Sequence, residues 1–386
     1  MRTWLRRLGT LLLFLAVALC FAPTLVPPFL NRVYYEGPRS DHFDGERFFN
    51  PGPGQPSPAQ GGPARFLNRF IGSSERARWP EQVPVVPTVP PRRVEGSAML
   101  VTWIGHATVL VQTAGLNILT DPIWSQRASP FSFIGPKRVR APGVRFEDLP
   151  GIDLVLISHN HYDHMDLPTL KRLWKRDRPV FVTSLGNDSI LRRAGIGDRR
   201  ARSDCGRCPG VEALDWGRET FVQGSAMAAW MRDSKGPAPV AQVQVLRSHH
   251  WGSRWGTDRN RALWSSFAVR MPGGSFFFAG DTGYGDGSWA DEAARRGPFR
   301  LAILPVGAYA PRDVMQANHM DPDEAVVVFE KLKPAMALGM HWGTFQLTFE
   351  GIDDPPKRLA AARRARGVAP QRFVTMEVGR TFRVPR

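Results

Sequence analysis

The chain is poor in cysteine, tyrosine and lysine: its 386 residues hold three Cys and five Tyr, and only seven of its 51 basic residues are Lys. So few thiols exclude a disulfide-stapled scaffold and a four-thiolate zinc site. Cys20 lies in an apolar N-terminal stretch, and Cys205-Gly206-Arg207-Cys208 is a lone pair, read as a locally cross-linked loop between Asp204 and Val211. No βαβ pattern surrounds it to support a thioredoxin-like activity. Repeats of solenoid period are also missing. The net charge of +16 comes almost wholly from Arg, and pairs such as Arg192-Arg193, Arg199-Arg200 and Arg363-Arg364 are scattered. With no aromatic-basic motif among them, specific nucleic-acid binding is not expected. Attraction to anionic lipid headgroups accounts for the same excess.

Histidine is where the chain concentrates its chemistry. Directly after the apolar run Asp153-Leu154-Val155-Leu156-Ile157 comes Ser158-His159-Asn160-His161-Tyr162-Asp163-His164. The pattern is that of a buried strand opening into a metal-binding loop. Alternate residues of a strand share a face, so His159 and His161 can converge on one ion while the turn sends Asp163 and His164 toward a second. Imidazole and carboxylate without thiolate suit zinc, or less often iron or manganese, with positions left open for water. Three later apolar runs also end in ligand-type residues: Asp281 in Gly280-Asp281-Thr282-Gly283, His341 in Met340-His341-Trp342-Gly343, and His249-His250 before Trp251. Functional groups are commonly carried on loops held by a rigid sheet, so these endings argue for one shared site.

These residues resemble the metallo-β-lactamase superfamily, with its H-x-H-x-D-H signature. More narrowly the chain is similar to the zinc phospholipase D family that hydrolyses N-acylphosphatidylethanolamine. The narrower likeness rests on Asp44-Gly45-Glu46-Arg47-Phe48-Phe49-Asn50-Pro51, Trp103-Ile104-Gly105-His106-Ala107-Thr108, Leu119-Thr120-Asp121-Pro122-Ile123 and Gly135-Pro136-Lys137-Arg138. It continues through Phe278-Ala279-Gly280-Asp281, Pro305-Val306-Gly307-Ala308-Tyr309, His319-Met320-Asp321-Pro322 and His341-Trp342-Gly343-Thr344-Phe345. The resemblance implies two zinc ions. His159, His161 and His250 would hold one, Asp163, His164 and His341 the other, and Asp281 would bridge both. His250 is preferred to the adjacent His249 because it forms the family's His-Trp pair. The resemblance also makes Asp163, Asp281 and His319 the residues nearest the chemistry, with His319 a non-ligand beside the phosphate. His106 is expected to orient neighbouring groups and not to bind metal.

The expected reaction is phosphodiester hydrolysis by a metal-bridging hydroxide, releasing N-acylethanolamine and phosphatidic acid. A same-fold hydrolase acting on a lactone, sugar-phosphate lactone, β-lactam, thioester or RNA is the alternative, because an activated water attacks carbonyl carbon and phosphorus alike. A non-catalytic membrane-anchored binding or redox module is a further one. The expected partners are a phospholipid or other phosphodiester and a membrane surface, with a homodimer left open.

Short apolar strands are predicted at residues 99–104, 108–112, 117–119, 153–157, 180–183, 240–246, 267–270, 276–279, 301–304 and 335–340. Helices are predicted at 167–176, 288–296, 323–332 and 357–366, the third introduced by the cap signal Asp321-Pro322. That order, with the resemblance, implies an α/β fold: the αββα four-layer sandwich, preceded by an N-terminal hydrophobic segment. Residues 99–386 form the expected catalytic domain and 31–98 a Pro/Gly-rich connector, in which the basic, apolar run 65–71 would lie on a membrane surface or pack on the domain. Residues 1–30 read as a signal peptide or membrane anchor, with Arg2, Arg6 and Arg7 before an apolar stretch that Pro23, Pro27 and Pro28 interrupt. The basic flank sets the catalytic domain on the exterior, periplasmic in a bacterium, or exported.

Overall fold

Alternation along the strands builds the molecule's layers. In Leu154–Ile157, Leu154 and Leu156 join one buried cluster while Val155 and Ile157 join another on the opposite face. Both faces of this strand are apolar, as a strand buried on both sides requires. The computed structural model describes residues 2–30, 32–52, 75–197, 210–223 and 240–386. Among these residues, fourteen strands make two seven-stranded mixed sheets.

The first sheet has the order β14-β1-β2-β3-β4-β5-β6, with β1 Met99–Gly105, β2 Thr108–Thr113, β3 Leu116–Thr120, β4 Leu154–Ile157, β5 Val180–Ser184, β6 Val211–Leu214 and β14 Thr381–Arg383. The second has the order β13-β12-β11-β10-β9-β8-β7, with β7 Glu219–Gln223, β8 Val240–Leu246, β9 Ser266–Arg270, β10 Phe276–Phe278, β11 Leu301–Pro305, β12 Met336–Met340 and β13 Phe373–Val374. Strands β3 to β6 run parallel, as do β10 to β13. Their C-terminal ends therefore collect at one edge of each sheet.

Between the sheets lies a core that includes Val101, Trp103, Val109, Val243, Phe267, Phe278 and Leu338. Helices α2 (Leu167–Asp177) and α3 (Asn187–Arg193) cover the outer face of the first sheet through Leu170, Leu173, Trp174, Ile190 and Leu191. The outer face of the second is covered by α4 (Ser288–Ala294), α6 (Pro322–Leu332) and α7 (Asp354–Ala365), through Trp289, Phe329 and Leu359 among others. The short α5 (Arg312–Met315) precedes α6. This is the expected αββα arrangement. The Asp321-Pro322 signal forms a complete capping box, with Asp321 accepting from the Glu324 amide at 2.9 Å and Glu324 accepting from the Asp321 amide at 3.0 Å.

Two findings refine the reading of the N-terminal region. First, the prolines that interrupt the apolar stretch do not end the helix: α1 (Arg2–Leu30) continues through Pro23, Pro27 and Pro28. Proline costs a helix interior about 3 kcal/mol without forbidding it. Leu11, Leu12, Leu13, Phe14, Leu15 and Val17 on α1 are exposed; among the described residues no helix is long and apolar enough to cross a membrane. Second, the irregular residues on either side of 53–74 are tied to the body. Phe43 and Phe48 are buried with Leu263 and Trp264, Tyr34 donates to Asp258 at 2.7 Å, Trp79 donates to the Glu350 carbonyl at 2.9 Å, and Arg93 pairs with buried Asp153. Proline lacks an N–H and glycine favours no regular conformation, so no regular element forms there, but the aromatic side chains still bury. The run 65–71 and the Cys205–Cys208 pair lie outside the described residues.

Candidate metal centre

The loop leaving β4 carries His159, His161, Asp163 and His164. These follow the strand's last residue, Ile157, so their convergence comes from a turn and not from strand alternation. The amide of Met165 donates to the His161 carbonyl at 2.8 Å, and Arg254 ties the loop by donating to the carbonyls of Asn160 and Met165, each at 3.0 Å. Asp121, just beyond β3, accepts from the Ser158 amide at 2.7 Å, which locks two neighbouring strand ends together.

The second sheet supplies the remaining groups from separate strand ends. Asp281 follows β10 through Gly280, whose φ is +60° and whose added Cβ would lie 2.5 Å from that of Ser158. Only glycine admits that approach, and it brings Asp281 up to the β4 loop. His341 follows β12, and His250 follows β8. His319 is held between the Met320 amide, which donates to the Thr282 carbonyl at 2.8 Å, and Arg312, which donates to the His319 carbonyl at 2.8 Å. His106, Asp121 and His341 all have left-handed backbone, with φ of 54°, 32° and 64°. Non-glycine residues in that region cost about 1–3 kcal/mol each and gather at functional sites.

These elements bring the ligand-type side chains into two adjoining groups. His159 Nε2 lies 2.8 Å from His161 Nδ1, and His250 Nε2 lies 3.4 Å from the same atom. In the other group His164 Nε2 and His341 Nε2 are 3.2 Å apart, and Asp163 Oδ2 is 3.2 and 3.4 Å from them. Asp281 Oδ2 stands between the groups, 3.1 Å from both His164 and His341 and 3.9 Å from His250. His319 Nδ1 is 4.0 Å from Asp281.

The donors fit metal ions. Hydrogen-bond partners fix which nitrogen faces inward: His164 donates from Nδ1 to Asp121 at 2.7 Å, and His250 donates from Nδ1 to the Asn318 carbonyl at 2.9 Å. Ser158 donates to Asp121 at 2.5 Å and so accepts from His159 Nδ1 at 2.9 Å. In all three the Nε2 atom is turned to the centre, the arrangement that outer partners impose on metal-ligating histidines. Nitrogens bound to one tetrahedral zinc lie about 3.3 Å apart, close to the 3.2 and 3.4 Å found here. Asp281 Oδ1 is buried with no hydrogen-bond partner among the described residues, a costly state for a carboxylate oxygen unless a cation serves it.

Electrostatics divides the two groups. Burial drives His159 and His250 well below the ordinary imidazole range and His161 to about 4. Burial also acts to lower His164 and His341, but carboxylate charge, chiefly that of Asp281, outweighs it, holding His164 well above the ordinary range and His341 at about 9. Asp163 and Asp281 are held well below theirs, because the charge on His164 and the histidine hydrogen bonds overcome burial. His319 falls to about 4 through burial.

All the expected ligands, His159, His161, His250, Asp163, His164, His341 and Asp281, therefore meet in one place with His319 beside them. His249 does not join them; it lies against Gly285, where an added Cβ would be 2.9 Å from its Nδ1. His106 Nε2 donates to Asp163 at 2.8 Å, the orienting role expected of it. The contribution that sequence reasoning missed is that of Asp121 and Ser158, which orient His164 and His159. Asp121 lies 43 residues from His164, and its only sequence signal was a place in the Leu119–Ile123 block.

A loop beside the centre is pinned at both ends. Ser125 donates to Asp166 at 2.8 Å, and Arg138 donates to the Ile123 carbonyl at 2.8 Å while stacking 4.8 Å from the ring of Phe345, which meets His106 edge-on at 5.3 Å. Between those anchors Phe131, Phe133 and Ile134 are exposed, Phe133 by 76%.

The model of the β-lactamase superfamily domain matches residues 116–342, which take in β3 to β12 and every residue of the two groups. The chain belongs to the metallo-β-lactamase superfamily and is a metal-dependent hydrolase. Within that superfamily it is similar to N-acyl-phosphatidylethanolamine-hydrolyzing phospholipase D 1 of Caenorhabditis elegans, with 36% identity over 288 residues, 73% of this chain and 75% of that protein. It is also similar to the mitochondrial N-acyl-phosphatidylethanolamine-hydrolyzing phospholipase D of Saccharomyces cerevisiae, 30% identical over 67% of this chain and half the length of that protein. The structure of an isothiocyanate hydrolase from Delia radicum gut bacteria shares the fold, with a TM-score of 0.52, 18% identity, and coverage of 74% of this chain and 98% of that one.

Proposed function

We propose that the chain is a binuclear zinc phosphodiesterase of phospholipase D type, cleaving N-acylphosphatidylethanolamine into N-acylethanolamine and phosphatidic acid. The observation that carries the reading is Asp281 Oδ2, which faces imidazoles of both groups. His159, His161 and His250 would hold one ion, and Asp163, His164 and His341 the other, with Asp281 shared. Zinc there, when bound, makes water nucleophilic near neutral pH and offsets phosphoryl charge. Asp281 accepts a hydrogen bond from the attacking water. The new bond forms from water oxygen to phosphorus, the bond from phosphorus to the ethanolamine oxygen breaks, and the proton given up by the water ends on that leaving oxygen, while His319 offers an N–H to a phosphoryl or leaving oxygen. Asp121, Ser158 and His106 keep the ligands in orientation.

Support for a lipid substrate comes from the names of the two phospholipase D relatives and from the exposed Phe131, Phe133 and Ile134 at the rim, since apolar side chains favour a bilayer interface. Residues 1–30 serve as anchor or export signal in this proposal, keeping the catalytic domain on the exterior face of the membrane. The test is incubation of zinc-loaded protein with N-acylphosphatidylethanolamine, phosphatidylcholine, a lactone and a bis-aryl phosphodiester. Release of N-acylethanolamine is expected, and turnover of the lactone alone would refute the substrate class. A chain lacking residues 1–30 should still hydrolyse the soluble diester but lose activity on bilayers, because a tether raises local concentration at an insoluble substrate. Loss of zinc or of soluble-ester activity would show instead that the segment belongs to the catalytic fold.

A further inference from the structure

The turns that enter β10, β11, β12 and β13 meet at the edge of the second sheet remote from the metal centre, around a cavity of about 830 Å³. Five cationic side chains line it, Arg270, Arg300, Lys333, Arg372 and Arg386, and among the described residues no Asp or Glu does. Three of them are fixed by short bonds to neutral acceptors, and Arg270 makes two long ones, at 3.5 Å, to the Gln242 side chain and the Arg296 carbonyl. Arg300 donates to the carbonyls of Ser97, Gly273, Val384 and Pro385, Arg372 to that of Pro334 at 2.8 Å, and Arg386 to the Ser97 hydroxyl at 2.6 Å. Neutral acceptors set the direction of a guanidinium without cancelling its charge. Arg270 and Lys333 are exposed, and the long contacts of Arg270 are weak enough to give way to a ligand.

We infer that this cavity is a binding site for an anion carrying more than one phosphate charge. Guanidinium forks match phosphate oxygens in geometry, and like charges held together with no Asp or Glu side chain among them gain most from such a ligand. The site is separate from the hydrolytic one. Asp281 and His341 follow the C-terminal ends of β10 and β12, whereas the cavity lies at their starts, and a five-residue strand such as β12 spans about 17 Å.

The phosphate groups can belong to a soluble molecule or to lipid headgroups, and the experiment has an arm for each. Metal-loaded full-length protein is titrated with pyrophosphate at low ionic strength by calorimetry, and mixed with phosphatidylcholine vesicles with and without phosphatidic acid. The probe variant is Arg270→Gln/Lys333→Gln, which removes two charges and leaves the carbonyl-anchored guanidiniums in place. The account expects this pair to weaken pyrophosphate binding at least about tenfold, or to abolish the phosphatidic-acid-dependent part of vesicle binding if the source is lipid. The charge-conserving Arg270→Lys/Lys333→Arg pair should restore either, and metal content and soluble-diester hydrolysis should be unchanged throughout. Absence of binding in both arms, or binding that the Gln pair leaves intact, as for pyrophosphate held at the metal centre, would overturn the site.

Discussion

The two ligand groups use the same imidazole in opposite electrostatic settings. His159, His161 and His250 form a group with no carboxylate of its own, supported by a serine hydroxyl and a peptide carbonyl, and burial, helped by the neighbouring imidazoles, keeps them uncharged. His164 and His341 sit among Asp163, Asp281 and, through His164, Asp121, which demand positive charge. One group offers lone pairs; the other holds an excess of negative charge. Asp281 joins them, so a change there should reach both, whereas changes among the outer partners should register on one side first.

The largest effect is expected from Asp281→Asn, which keeps shape and removes the shared charge. Metal stoichiometry should drop clearly below two per chain, with an activity loss beyond the about 10–100-fold typical of outer partners. Unchanged metal content by elemental analysis would break the link between the groups. Next comes His250→Ala, which removes a ligand-type nitrogen from the uncharged group and should abolish most activity, while His249→Ala leaves it close to the parent. The reverse pattern in a soluble-diester assay would mean that the His-Trp pairing selects the wrong residue.

Asp121→Asn should act on the charged group, lowering metal affinity there by about 10–100-fold because His164 loses the carboxylate that orients it. A competition titration with a zinc chelator that found both sites equally weakened would contradict the division. Ser158→Ala is expected to have the smallest effect: it removes the hydrogen bond from His159, worth about 0.5–1.5 kcal/mol, and the one donated to Asp121, which keeps its bonds to His164 and the Ser158 amide. A loss as large as that of Asp121→Asn would assign the hydroxyl a larger part than the geometry gives it.

The ten central strands were legible because burial on one or both faces writes an apolar run into each, as in Val240–Leu246 and Met336–Met340. The four that escaped prediction, β6, β7, β13 and β14, are the edge strands of the two sheets. Edge strands pair on one side only, and here they are short or polar: Phe373–Val374 has two residues, and Glu219–Gln223 begins and ends in polar side chains. Helix α3 was missed for a related reason, its seven residues being too few to display a period. In the site, the contiguous cluster His159 to His164 announced itself by spacing. Asp281, His341 and His250 were visible as polar residues at strand ends, and their division between two ions came from the family likeness. Asp121 was silent because the pairing that gives it a role exists only once β3 and β4 lie side by side.

The central claim is that two metal ions share Asp281. Anomalous diffraction at the zinc edge from crystals of the zinc-loaded protein tests it most directly. Two peaks are expected, one beside His159, His161 and His250 and the other beside Asp163, His164 and His341, with the Asp281 carboxylate touching both. A single peak, or two with Asp281 bound to neither or to only one, would contradict it.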